Sequence, residues 1–102
     1  MKREIITLCG STKFKNEFLQ VAKDLTLQGF IVFNVYVFSH HDNINLSQEQ
    51  KNDLVDIHNQ MLDMSNGIFV VNKNGYIGEN TKNEIEYVEK KGKHIRYYMN
   101  EY

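Results

Sequence analysis

The feature that most constrains this chain is the alternation of short apolar runs with longer amphipathic stretches. Four runs rich in β-branched or aromatic residues lie at positions 5–9, 30–38, 68–71 and 94–99. Between them, apolar residues recur three or four positions apart, which is the period of a helix packed on one face. Strands that alternate with helices pair in parallel through right-handed crossovers. The sequence therefore predicts a β-α-β-α-β-α-β chain folded as a three-layer α/β domain.

The helix boundaries are indicated by capping residues and glycines. The first helix is predicted over 12–28, ahead of Gly29, and the third over 81–91, ahead of Gly92. Ser47 and Gln50 fit a capping box that opens the second helix. With four parallel strands in the order 2-1-3-4, the domain would be a minimal flavodoxin-like or Rossmann-like fold.

Composition narrows the class of protein. A length of 102 residues supports a single domain over positions 1–102. The net charge of -1 disfavours a nucleic-acid polymer or a membrane surface as partner, and no apolar run approaches the roughly 20 residues of a membrane span. One cysteine excludes an internal disulfide framework. We expect a soluble cytoplasmic protein whose partner is a small molecule.

Ligands of open parallel sheets bind outside the carboxyl ends of the strands, near the point where the strand order reverses. This rule selects three segments, at positions 9–13, 39–42 and 75–79. The first holds Cys9, Gly10, Ser11, Thr12 and Lys13, whose glycine, hydroxyls and helix-start amides suit a phosphate or sugar. The alternative is that Ser11 or Thr12 only caps the first helix.

Glu84 is the carboxylate best placed for chemistry. It lies about one turn into the third helix, so its side chain can point over the carboxyl edge of the sheet. There it can act as a nucleophile or stabilise a cationic transition state. The competing interpretation is structural, since Thr81 and Glu84 have the spacing of a capping box.

The four histidines do not form a recognisable metal motif. His40 and His41 are adjacent, His58 is in the second helix and His94 opens the last strand. No H-x-x-x-H or H-x-E pattern occurs, and Cys9 has no partner close in sequence, so we predict no metal site. His40 is the exception of interest, because it follows the second strand near the switch point.

Three stretches together resemble the nucleoside 2-deoxyribosyltransferase superfamily, which includes the 2'-deoxynucleoside 5'-phosphate N-hydrolases. They are Ile-Thr-Leu-Cys-Gly-Ser at 6–11, Asn-Gly-Ile-Phe-Val-Val-Asn at 66–72, and Gly78 with Glu-Ile-Glu-Tyr at 84–87 ahead of Gly-Lys-His-Ile. The resemblance implies a flavodoxin-like homodimer that needs no metal or other cofactor. It also implies cleavage or exchange of the N-glycosidic bond of a nucleoside or nucleotide, through a glutamate that attacks the anomeric carbon.

The resemblance assigns roles to individual positions. The nucleophile falls on Glu84, and the loop that holds sugar or phosphate falls on residues 9–11, with Lys13 in place of the usual arginine. His40 and the stretch from Gly75 through Gly78 to Thr81 match further substrate-binding segments. The aspartate that helps to protonate the leaving base falls near His58, with Asp56 and Asp63 on either side.

Besides Lys13 and His58, two further positions differ from the family pattern. Thr7 replaces an aromatic residue that contacts the active site, and Asn66 precedes the third strand where an aspartate is usual. These differences keep a second interpretation open, a nucleotide-binding or sensing module without turnover. A third is an interaction domain without a ligand. In each case we expect a dimer, because the aromatic strand and the tyrosine-rich tail offer more apolar surface than three helices cover.

Overall fold

The structure, a computed structural model, describes all residues from 1 to 102. The elements alternate along the chain as β1 (Ile5–Gly10), α1 (Lys15–Leu27), β2 (Ile31–Phe33), α2 (Gln48–Met64), β3 (Gly67–Val71), a 3-10 turn (Lys73–Gly75), α3 (Glu79–Lys90), β4 (His94–Tyr97) and α4 (Tyr98–Glu101). No helix is both long enough and apolar enough to cross a membrane.

The four strands form one all-parallel sheet in the order β2-β1-β3-β4, which confirms the predicted order. β1 lies at its centre and pairs with β3 over five residues, from Ile6 opposite Gly67 to Gly10 opposite Val71. The strand order reverses between β1 and β3. The loops that follow these two strands therefore meet at the carboxyl edge of the sheet, where a ligand site is expected.

Each face of the sheet has its own hydrophobic core, which gives the three layers. Ile6 and Leu8 of β1 pack on one side with Phe18 and other residues of α1. The β3 residues Ile68 and Val70 pack on the other side, against a cluster that includes Leu62 of α2 and Val88 of α3. Helices α2 and α3 thus share one face, and their side chains can meet above the strands.

The second strand is much shorter than predicted. Only Ile31–Phe33 pairs with β1, whereas the sequence predicted a strand over 30–38. At the next residue, the side-chain oxygen of Asn34 accepts a hydrogen bond from the amide of Val35 at 2.8 Å. A local side-chain bond of this kind competes with the ladder, so the rest of the aromatic run leaves the sheet.

The observed starts of the helices show that two of the three possible capping arrangements are absent. α1 begins at Lys15, and neither Ser11 nor Thr12 caps it. α3 begins after Gly78, so Thr81 lies inside the first turn and forms no capping box with Glu84. The box at Ser47 and Gln50 is confirmed, with both reciprocal hydrogen bonds present.

The end of the chain also differs from the prediction. β4 stops at Tyr97 instead of continuing to Met99, and the four-residue helix α4 follows. Tyr102, just after α4, stacks on Tyr98 with ring centroids 4.6 Å apart. Its ring also makes an edge contact with Phe69. The tyrosine-rich tail therefore covers part of the α1 face instead of extending the sheet.

Candidate active site between α2 and α3

A cavity of about 650 Å³ opens above the carboxyl half of β1. Its wall comes from the end of β1 and the loop after it, Phe18 of α1, the segment that follows β2, the α2 helix and the first turns of α3. The apolar part consists of Leu8, Phe18, Val35, Val37, Leu54, Val55, Ile57 and Met61. No lysine, arginine or aspartate lines it, so Glu84 is its one carboxylate and His58 its one imidazole.

Glu84 and His58 form an ion pair on the wall of this cavity. Nδ1 of His58 contacts Oε2 of Glu84, and the two side chains are only 14% and 19% exposed. On the other side of the ring, Nε2 lies 3.1 Å from the carbonyl oxygen of Leu8 and donates a hydrogen bond to it. The imidazole is thus held between a strand carbonyl and the carboxylate, which fixes its orientation.

Two opposing effects act on the protonation of His58. Burial disfavours the charged imidazole, but the hydrogen bond and charge of Glu84 and the bond to the Leu8 carbonyl outweigh it. The pKa of His58 is therefore raised above its usual value. A proton held between an imidazole and a carboxylate is available to a group that enters the cavity.

Cys9 lies beneath this pair and does not line the cavity. Its side chain is 1% exposed, and its Sγ lies within 4.8 Å of the nearest ligand atoms of His58 and Glu84. Burial, and then the charge of Glu84, raise the pKa of the Cys9 thiol well above its usual value. The thiol is therefore neutral and is not a nucleophile.

The loop after β1 approaches the cavity through its backbone. Gly10 has a φ of +146°, and a Cβ at this position would lie 2.8 Å from the carbonyl oxygen of Val71. Thr12 also lines the cavity, and its Oγ1 is hydrogen-bonded to Nδ1 of His40 at 2.8 Å. His40 itself is exposed outside the lining, so it supports Thr12 at the rim.

The other predicted site residues are divided between the cavity and its surroundings. Thr81 lines the cavity, whereas Ser11, Lys13, Gly75 and Gly78 do not. The ammonium of Lys13 lies 3.5 Å from the ring centroid of Tyr76, outside the lining.

Two of the three candidate proton donors also lie outside the cavity lining. Asp56 is exposed and accepts a hydrogen bond from Gln60 of the next turn at 3.1 Å. Asp63 accepts a hydrogen bond from the hydroxyl of Tyr87, a contact that raises the pKa of that phenol. Of the three candidate proton donors, only His58 lies on the wall of the cavity.

Thr7 and Asn66, which differ from the pattern of the family that the sequence resembles, have structural roles here. Thr7 is fully buried beneath α2, and its hydroxyl donates to the carbonyl of Met61 at 3.2 Å and lies 2.9 Å from the hydroxyl of Ser65. The side-chain oxygen of Asn66 accepts from the amide of Ile5 at 2.8 Å, at the amino end of β1. Neither residue lines the cavity.

Several polar residues of the lining were missed in the sequence. They are amides and hydroxyls: Asn34, Tyr36, Asn59, Asn80, Asn83 and Tyr87. Ser39 also lines the cavity and belongs to the predicted segment 39–42. Asparagine is common along this chain, so the ones in the cavity have no distinguishing pattern. Asn59 and Asn83 are adjacent in sequence to His58 and Glu84, and this adjacency is the one clue in the sequence that could have indicated them.

Comparison with known proteins gives no match, whether to a protein-family model, a curated protein or a solved structure. The fold and the cavity define the class to which the chain belongs, a three-layer α/β domain with a largely apolar cavity at the carboxyl edge of its sheet.

Proposed function

We propose that this protein cleaves or exchanges the N-glycosidic bond of a nucleoside, with Glu84 as the nucleophile. The main support for this proposal is a single partly buried carboxylate, paired with His58, on the wall of a largely apolar cavity. The position of Glu84 near the switch point agrees with the resemblance to the nucleoside 2-deoxyribosyltransferase superfamily. The proposal includes no cofactor.

The reaction would proceed in two displacements. A carboxylate oxygen of Glu84 bonds to the anomeric carbon as the carbon–nitrogen bond breaks. The electron pair of the broken carbon–nitrogen bond leaves with the base. His58 supplies the proton that neutralises the departing base. Water or a second base then attacks the glycosyl ester, and the proton lost by this acceptor returns to His58. Glu84 leaves as the free carboxylate.

The lining favours an uncharged substrate over a 5'-nucleotide. A phosphate is normally met by lysine, arginine or several free amides, and the cavity contains no lysine or arginine. The asparagines and hydroxyls can instead hydrogen-bond to a base edge and to sugar hydroxyls. We therefore propose a neutral nucleoside as the first substrate to test, with the 5'-monophosphate as the comparison.

The test is base release measured by chromatography. Purified protein is incubated with 2'-deoxynucleosides, with and without a second free base, and with the matching 5'-monophosphates. Wild type should release or exchange base, Glu84→Gln should lose at least about 100-fold of the rate, and Glu86→Gln should keep it. Glu86 is a suitable control because it is an exposed carboxylate on the same helix. Equal rates for wild type and Glu84→Gln would refute the catalytic role.

The alternative is a binding module of the same fold without turnover. One observation favours it: Glu84 is engaged by His58, and no second carboxylate lines the cavity to activate water. A thermal-shift screen against nucleosides and nucleotides separates the two. A ligand that raises the melting temperature but is recovered intact at high protein concentration would support binding alone.

We also propose that the protein is a homodimer. Large apolar side chains near the cavity are exposed, among them Tyr36 on the segment after β2 and Val55 and Ile57 on α2. Exposed apolar side chains grouped around one cavity are typical of an interface. A second subunit seated there would cover the mouth of the cavity and exclude water from Glu84.

A further inference from the structure

The thiol of Cys9 has no part in the glycosyl chemistry, yet it lies directly beneath the two residues that do. Cys9 comes from β1, His58 from α2 and Glu84 from α3. One sulfur, one ring nitrogen and one carboxylate oxygen lie within 4.8 Å of one another. Three different elements thus bring three different metal-ligating groups to one point, which no spacing in the sequence indicates.

The contacts of His58 are those of a metal-ligating histidine. Its Nε2–H donates to the carbonyl of Leu8, which directs the Nδ1 lone pair away from the strand toward Glu84. Metal-bound histidines almost always donate their other ring nitrogen to a carbonyl or carboxylate in this way. Nδ1 and the carboxylate oxygen are both acceptors, so a cation must lie between them, either a proton or a metal ion.

We propose that Cys9, His58 and Glu84 form a binding site for a thiophilic divalent cation of the Zn²⁺ type. The ligands are Sγ of Cys9, Nδ1 of His58 and a carboxylate oxygen of Glu84, with a water from the cavity as the fourth. Binding displaces the thiol proton and the proton shared by His58 and Glu84 to solvent. This site depends only on the positions of the three side chains, so it is independent of the glycosidase proposal.

The chemistry of the three ligands selects the class of cation. Thiolate and imidazole suit zinc and its neighbours, whereas Mg²⁺ and Ca²⁺ prefer all-oxygen sites. Zinc lies about 2.0–2.3 Å from such ligands, so tetrahedral ligand atoms lie roughly 3.3–3.8 Å apart. Zinc binding therefore requires Sγ of Cys9 to lie closer to the other two ligand atoms, and Nδ1 of His58 and Oε2 of Glu84 to move apart. Three protein ligands plus an open position facing a cavity is the pattern of an accessible zinc site.

If the glycosidase proposal is correct, metal binding at this site also affects the reaction. A metal ion bound to Glu84 occupies the oxygen that would attack the anomeric carbon. Zinc would therefore inhibit base release, and a chelator would restore it.

The site is tested by metal binding, without any activity measurement. Zn²⁺ is titrated by calorimetry into the full chain, kept reduced by a phosphine, and Co²⁺ is added separately for absorption spectra. Wild type should bind one equivalent and show a thiolate-to-cobalt charge-transfer band in the near ultraviolet. Cys9→Ser should abolish the band and weaken zinc binding at least about 10–100-fold, the loss typical of even an outer-shell contact.

His94→Gln is the matched control. His94 also contacts a carboxylate, with Nε2 3.1 Å from Oε1 of Glu4, but both side chains are exposed and Cys9 is buried elsewhere. This variant should bind zinc as wild type does. His58→Gln tests the same site without altering the core, in case Cys9→Ser fails to fold by circular dichroism. Absence of the cobalt band in wild type would overturn the proposal. Equal zinc affinity in wild type and His58→Gln would overturn it as well.

Discussion

His58 and Glu84 differ from the other histidine–carboxylate pairs of this protein in their distance from water. The exposed fractions are 14% and 19% for this pair, against 45% and 55% for His94 and Glu4. An exposed pair is screened by solvent and contributes little to stability, whereas a partly buried pair pays a desolvation cost. The desolvation of this pair agrees with the role in the cavity that we propose for Glu84 and His58.

Gly10 allows the backbone at the end of β1 to lie close to the carbonyl group of Val71. Gly10→Ala should lower the free energy of unfolding by more than about 3 kcal/mol, because the positive φ is strained for alanine and the added Cβ meets Val71. Gly92→Ala is the control, since Gly92 has a φ of +69° with nothing within 4 Å of its Cβ. It should cost about 1–2 kcal/mol. Equal losses in urea unfolding would contradict the close approach at Gly10.

The α2 helix accounts for the cavity at the level of secondary structure. Of its apolar residues, Leu62 is fully buried, whereas Leu54 and Met61 are only partly buried and Ile57 is exposed. The carboxyl end of α2 is held down by the hydroxyl of Thr7, which bonds to Met61 and Ser65. Toward its amino end the helix stands away from the sheet, and the space beneath it is the cavity.

Because that part of α2 has little packing, its cap should matter. Ser47→Ala should lower the free energy of unfolding by about 1 kcal/mol, because it removes the bond to the Gln50 amide at 3.1 Å. Ser11→Ala is the control and should cost less, since Ser11 caps no helix. Urea unfolding gives both values, and amide exchange should quicken in the first turn of α2. A Ser47→Ala loss no larger than that of Ser11→Ala would contradict this role.

At the scale of the whole molecule, exposed apolar side chains of α2 lie beside the cavity, among them Val55 and Ile57. A stable interface commonly covers about 800 Å² on each partner. An interface on the α2 side would complete the wall of the cavity, which connects the oligomeric state to the site.

Val55→Lys should therefore convert a dimer to a monomer of 12.0 kDa in sedimentation at micromolar concentration. A lysine at an apolar interface must be desolvated, which costs several kcal/mol when it has no partner. Leu27→Lys is the control, because Leu27 is even more exposed but lies at the end of α1 on the opposite face. A wild-type monomer, or a dimer that Val55→Lys leaves intact, would rule out this interface.

The fold was predictable to the level of strand order, and the site only in part. Glu84 was a candidate because its helix follows a strand and a glycine-containing loop at the expected edge, and the structure places it on the cavity wall. The end of β2 was not, since the Asn34 side chain replaces a ladder bond that propensity alone favours. His58 was one of three candidates along α2, and only the orientation of that helix separates it from Asp56 and Asp63.

The sequence by itself determined the alternation of strands and helices, because hydrophobic periodicity is a local property written every two or every three to four residues. It therefore also determined the parallel sheet and the edge where a ligand would bind. Only the tertiary structure decided that α2 leaves a cavity and that Cys9 is buried close to His58 and Glu84 on its wall. This proximity depends on how two helices lie across one face of the sheet, and no short-range pattern encodes that packing.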